Sequence, residues 1–250
     1  MLNALATANT ALDAFQTSVE TTANNLANSN TTAFKRSIVD FEDLLYSGPS
    51  NLQVGRGVRV SDISTRDFKQ GAEQSTGQDL DLCVTGNGFF SVQQSDGTTK
   101  FTRDGSFQRD ALGRLVTATG NIVQPPITFP ADTVSTSISS DGVVSVVTGS
   151  APGQVKVLGQ IQLTTFPNPA GLQQEPNNLY SESPASGTPT TAIPGTNGIG
   201  TIKQKSLEQS NVDLTTEMTS LVTAQRGYDA NSRVIKTADQ IVSSALDIVR

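Results

Sequence analysis

Apolar residues recur at every seventh position at both ends of this 250-residue chain, and no other feature constrains the fold as tightly. Leu5, Leu12, Val19 and Leu26 form one series; Leu214, Leu221, Tyr228, Ile235, Val242 and Val249 form the other. A seven-residue repeat lays its apolar members along one stripe of an α-helix, and such a stripe has nothing to bury against until a partner arrives. Nearly all of the sequence between the two series has a different grammar, rich in Gly, Thr and Ser with short alternating runs. The fold class expected is therefore α+β, mainly β. The N- and C-terminal helices pair as a coiled-coil-like hairpin, and the centre forms an antiparallel, partly open β-barrel or sandwich.

Composition removes several function classes. The net charge is −6, and Lys35-Arg36 is the only adjacent basic pair, so the clustered cations that neutralise nucleic-acid phosphates are missing. With no histidine, the commonest general base and transition-metal ligand are lost; with one cysteine, thiolate zinc sites and an internal disulfide are lost too. Cys83 sits in the apolar run Leu82-Cys83-Val84 and reads as a small buried hydrophobe. Asp79 and Asp81 would share one face of a strand, the arrangement a carboxylate pair needs, but on an acidic chain such pairs are mostly solvated surface. Gly86-Asn87-Gly88 is followed by neither a helical pattern nor Gly-Lys-Ser, so it is no phosphate loop. Asp104-Gly105-Ser106 lacks the alternating oxygen ligands of a calcium loop. No catalytic, cofactor or metal site emerges. No stretch of 18 apolar residues exists, and the first residues have neither a basic region nor a continuous apolar one, so the general secretory route is not indicated.

Three parts follow from the periodicities. Residues 1–35 and 211–250 form a terminal helical assembly domain, 36–70 an extended connecting segment, and 71–210 a central β-rich domain. The first helix should end near Asn28-Ser29-Asn30, and Asn211 or Asp213 should cap the second, with Glu217 in its first turn. Gly227 interrupts that second helix at a cost of about 1 kcal/mol relative to Ala, which a close helix–helix contact would explain. In the middle, Asp96-Gly97 and Asp141-Gly142 signal hairpins, Pro125-Pro126 and Pro167 to Pro169 mark breaks, and 182–198 reads as a long polar loop.

Four blocks carry a resemblance. Ala23-Asn24-Asn25-Leu26-Ala27-Asn28 followed by Thr32-Ala33-Phe34-Lys35-Arg36 is the first. Asp40 to Tyr46 with Leu52 to Arg59 is the second. Gly86 to Phe90 with Phe101 to Phe107 is the third, and Ser210 to Asp213, Glu217-Met218, Gln225 to Tyr228 and Asn231 the fourth. Taken together they resemble the bacterial flagellar axial proteins, the family of rod and hook subunits, and within it the distal-rod branch. Only Ser47 to Asn51 separates Tyr46 from Leu52, shorter than that branch carries. The resemblance implies a structural subunit without enzymatic activity or cofactor, exported through the flagellar type III apparatus without a cleaved signal. It implies assembly into a homo-oligomeric helical tube in the periplasmic part of the basal body that transmits torque to the hook. Its partners would be other rod and hook subunits and the surrounding ring proteins, with no nucleic acid and no small-molecule substrate. The residues expected at the assembly interface are Leu5, Leu12, Phe15, Val19, Asn24, Asn25, Leu26, Asn28 and Phe34 from the first part. From the last come Leu214, Met218, Leu221, Gln225, Arg226, Tyr228, Asn231, Ile235 and Val242. A proximal rod or hook-type subunit is the alternative within the family. A secreted β-rich carbohydrate-binding or adhesive module is the alternative from another class, disfavoured by three Tyr and no Trp.

Overall fold

The structure is a computed structural model that describes residues 2–47, 53–60, 65–150 and 153–248. It divides into two compact units: residues 1–29, 36–67 and 212–250 form one, and 30–35 with 68–211 the other. The chain thus passes four times between them, and the segment 36–67 clusters with the helices rather than standing apart as a connector.

In the first unit, helix α1 spans Leu2–Ala27 and helix α2 spans Leu214–Ile248. Contacts between Asn25 and Glu217 near one end, and Phe15 and Gly227 further along, fix the pair as antiparallel. Asp213 caps α2, its Oδ1 accepting the Thr216 N–H at 2.7 Å, so of the two expected N-caps, Asn211 and Asp213, the second is used. The segment 36–67 is ordered by a hairpin, Phe41–Ser47 paired antiparallel with Gln53–Val60, and by a short ladder of Ser37–Ile38 with Thr65–Arg66. Thr10 of α1 reaches this hairpin: its Oγ1 accepts the Val58 N–H at 3.4 Å, and a side chain at Gly57 would collide with it. The expected turn at 47–51 falls largely outside the described residues.

The second unit is antiparallel β throughout. Its largest sheet has nine strands, running from Gln173–Glu175 through Leu179–Ser181, Thr99–Thr102, Phe89–Gln93, Ile122–Gln124 and Leu115–Thr117 to Phe107–Arg109. Leu163–Thr165 pairs with the start of Phe89–Gln93 and carries Thr190–Ala192 on its other side. A three-stranded sheet joins Thr133–Ile138, Val143–Thr148 and Val155–Gln160. The large sheet stays open, in line with the partly open barrel or sandwich expected, with its ends among the described residues at Gln173–Glu175 and Phe107–Arg109. The segment 182–198 is not all loop, because Thr190–Ala192 is a strand. Both Asp-Gly signals mark real turns: Gly97 and Gly142 have φ of 85° and 81°, a region glycine enters without steric cost.

The Phe89-Phe90 pair shows how one strand serves two cores. Successive strand residues point to opposite faces. Phe90 therefore joins the main core, meeting the Phe107 ring at 5.0 Å, and Phe89 joins a smaller aromatic cluster with Phe68, Phe166 and Tyr180. Cys83 is fully buried in the strand Leu82–Thr85, and burial pushes its thiol up to about 11.

Candidate assembly surface

Small and polar side chains are buried on both helices. Ala8, Ala14, Thr22 and Asn25 are buried on α1; Glu217 and Ala224 are buried on α2. Gly227 lies under the Phe15 ring, so close that an added Cβ would sit 2.6 Å from two ring carbons. The glycine that costs helix propensity is what lets the two backbones approach. At one end a polar clip takes over. Asn25 Nδ2 donates to the Ser37 carbonyl at 2.9 Å and to Glu217 Oε2 at 3.2 Å, while its Oδ1 accepts the Ser37 N–H at 2.9 Å. Arg36 Nε stands 3.4 Å from the other oxygen of Glu217. Glu217, expected as a dipole-favouring surface acid, is thus the buried partner of a cation and an amide.

The described members of the two heptad series are partly buried or exposed. Leu5, Leu12, Val19 and Leu26 are partly buried on α1, as are Leu221 and Ile235 on α2, whereas Leu214 and Tyr228 are exposed. Between the helices runs a groove of about 410 Å³, lined by Gln16, Val19, Glu20, Gln225, Tyr228 and Asp229. Further round α2, Met218 is 54% and Ile241 56% exposed, with Val222 and Val234 also open, so apolar side chains along the helix are left uncovered. Val249 and the Val242 side chain lie outside the described residues.

The remaining expected interface residues divide. Gln225 and Arg226 are exposed, and Asn24 is exposed with its carbonyl accepting from Asn28 Nδ2 at 2.9 Å. Asn231 turns back on its own helix, its Nδ2 donating to the Gly227 carbonyl at 2.9 Å. Asn25 and Phe34 are buried, at 1% and 3% exposure, and their side chains are occupied inside the chain.

Sequence reasoning did not find the buried charges of the β unit. Ala33, with φ of 55°, turns the chain so that its N–H donates to the Glu208 carbonyl and Lys35 enters the interior. Lys35 Nζ lies 2.5 Å from Glu208 Oε1, with both side chains fully buried, and also donates to the Lys69 carbonyl. Arg103, buried, donates to the Gly86 carbonyl at 2.8 Å and stands 3.8 Å from Glu208 Oε2. Burial lowers the Arg103 pKa, and the Glu208 carboxylate works against that. Only the Lys35-Arg36 pair was visible beforehand, and nothing in its spelling says which cation points inward.

The expected acid pair does not form. Asp79 lies in a turn and pairs with Lys205 at 3.0 Å, and Asp81 makes an isolated bridge to Ser106, so they share no strand face. Gly86 and Gly88 serve close approach: a side chain on Gly86 would press on Gly200, and one on Gly88 on Leu163. Among the described residues no group of three or more acidic, Cys or His side chains could hold a metal, and no helix is long and apolar enough to cross a membrane.

Known proteins resemble this chain along its whole length. The family described as "Flagella basal body rod protein" matches residues 5–35, covering α1 and Lys35. The flagellar hook protein FlgE/F/G D1 domain matches 83–146, and the flagellar basal body rod FlgEFG protein C-terminal family matches 203–248, covering Glu208 and α2. The flagellar basal-body rod protein FlgG of Buchnera aphidicola subsp. Baizongia pistaciae is 42% identical over 97% of this chain and 98% of its own length. The FlgG proteins of Borreliella burgdorferi and Bacillus subtilis are each 40% identical over 100% of both chains. The flagellar hook-basal body complex protein FlhP of Bacillus subtilis is 31% identical over 97% of each.

Proposed function

Because the chain belongs to the flagellar basal-body rod protein family, we propose that it is a rod subunit that polymerises with copies of itself through the uncovered side of its α1–α2 hairpin. One observation carries this reading: the hairpin leaves Leu214, Met218, Val222, Tyr228, Val234 and Ile241 open on α2. Large apolar side chains left open in that number along one helix are normally covered by a partner. A contact that uses different patches on its two partners repeats without closing and generates a helical filament. In the basal body the neighbours would be other rod and hook subunits along the axis and ring proteins around it. Export without a cleaved signal belongs to the same reading.

The β unit supports a structural role. Phe89, Phe90, Phe101, Phe107, Phe129, Phe166 and Tyr180 are all buried, so none of them offers the exposed platform on which a sugar ring stacks. The carbohydrate-binding alternative therefore gains nothing from the fold.

The test is the concentration dependence of assembly in the purified full-length chain, followed by sedimentation velocity and negative-stain electron microscopy. Elongated assemblies are expected for the native sequence, and monomers for Leu214→Ser/Met218→Ser/Ile241→Ser with unchanged circular dichroism. A native chain that stays monomeric at every concentration would overturn the proposal.

A further inference from the structure

The hairpin is electrically two-faced. Asp13 and Glu20 are the only charged residues of α1, they lie seven residues apart, and both are exposed. On α2, Arg226 and Arg233 are also seven apart and exposed. At ~100° per residue each pair lies along one line of its helix. The α2 line runs on the side of the helix away from Glu217, which bonds Asn25 of α1. Among the described residues, none of these four groups has an ionic partner inside the chain; Glu20 accepts only the Gln16 amide at 3.0 Å. Asp229 lies between the two arginines in sequence but turns toward the groove it helps to line.

We infer that the repeating contact between copies sets the Asp13/Glu20 line of one subunit against the Arg226/Arg233 line of the next. This rests on the proposed self-assembly and names its polarity. The two lines have opposite sign and equal spacing, so both pairs meet in one register. Glu20 stands at the rim of the apolar groove beside Val19 and Tyr228. One turn before Arg226, Val222 is open on the same face, so the charged contact is backed by an apolar one. Charges of this kind fix partner and register more than they add affinity. The basic line lies on the side of α2 away from Glu217 and hence from α1, so the two lines belong to different patches, and a contact between different patches that does not close on itself propagates.

The experiment is a charge exchange in the full-length chain. Asp13→Lys/Glu20→Lys makes both lines basic, and Arg226→Glu/Arg233→Glu makes both acidic. Each variant alone should need a critical concentration about thirtyfold above native, about 2 kcal/mol at 1.4 kcal/mol per tenfold. An equimolar mixture of the two, and the fourfold variant carrying all the exchanges, should assemble again. Circular dichroism on each variant reports that the hairpin is intact. Either variant assembling alone as the native chain does would overturn the inference, and so would failure of the mixture of two folded variants. A native chain that does not assemble at all removes the underlying reading and this inference with it.

Discussion

At the scale of single residues, Gly227 shows a local rule overridden by packing. Alanine there favours the helix by about 1 kcal/mol, yet its Cβ would meet the Phe15 ring at 2.6 Å. Overpacking of that kind costs about 1–3 kcal/mol, so the signs oppose and the clash should win because the ring is held between the helix and Phe41. Gly227→Ala is expected to lower the urea midpoint of the helical signal, and Phe15→Leu/Gly227→Ala to recover part of it. A midpoint raised by the single substitution would show that the helices separate at no cost. The buried Lys35–Glu208 pair is the opposite case, a polar contact legible in the sequence only as two adjacent basic letters. Which of Lys35 and Arg36 turns inward depends on the left-handed Ala33 before them, and an alanine gives no warning of that conformation.

At the scale of elements, the heptads located both helices, and their members Val19 and Tyr228 line the groove between them. Where Gly227 meets the Phe15 ring the helices come close, and Leu5, Leu12, Leu26 and Leu221 are only partly buried. Met218 and Ile241 of α2 are left open. The start of α2 is pH-sensitive in a definite direction. The N–H of Thr216 holds the Asp213 carboxyl below the ordinary carboxylate range. A depressed folded value means the cap is fully present above the unfolded pKa of about 3.9 and is lost as pH falls through the folded value. Below about pH 4 the first turn of α2 should fray, seen as faster amide exchange at residues 214–217, and Asp213→Ala should show that exchange already at neutral pH. Identical exchange for the variant and the native chain at neutral pH would refute the cap.

At the scale of the whole molecule, the division into units decides where the chain can be cut. A fragment of residues 36–211 loses Lys35 and leaves Glu208 buried with Arg103 at 3.8 Å, whereas 30–211 keeps the pair. Removing one partner of a buried ion pair costs about 3–5 kcal/mol, so the shorter fragment should unfold at lower urea by that margin. Cys83 supplies the readout, because its buried thiol resists alkylation until the unit opens. Equal alkylation midpoints for the two fragments would show that Lys35 is dispensable to the unit. The sequence alone determined the two terminal helices, the β grammar between them, the turns at Gly97 and Gly142, and the family, since each depends on periodicity, on dihedral preference or on ordered local blocks. Three things were decided only by the tertiary structure. The hairpin Phe41–Ser47/Gln53–Val60 belongs to the helical unit, Asn25, Arg36 and Glu217 form a clip, and Met218 and Ile241 are left bare. These depend on which partners lie far away in the chain, and a helix face records in sequence that it is apolar without recording what covers it.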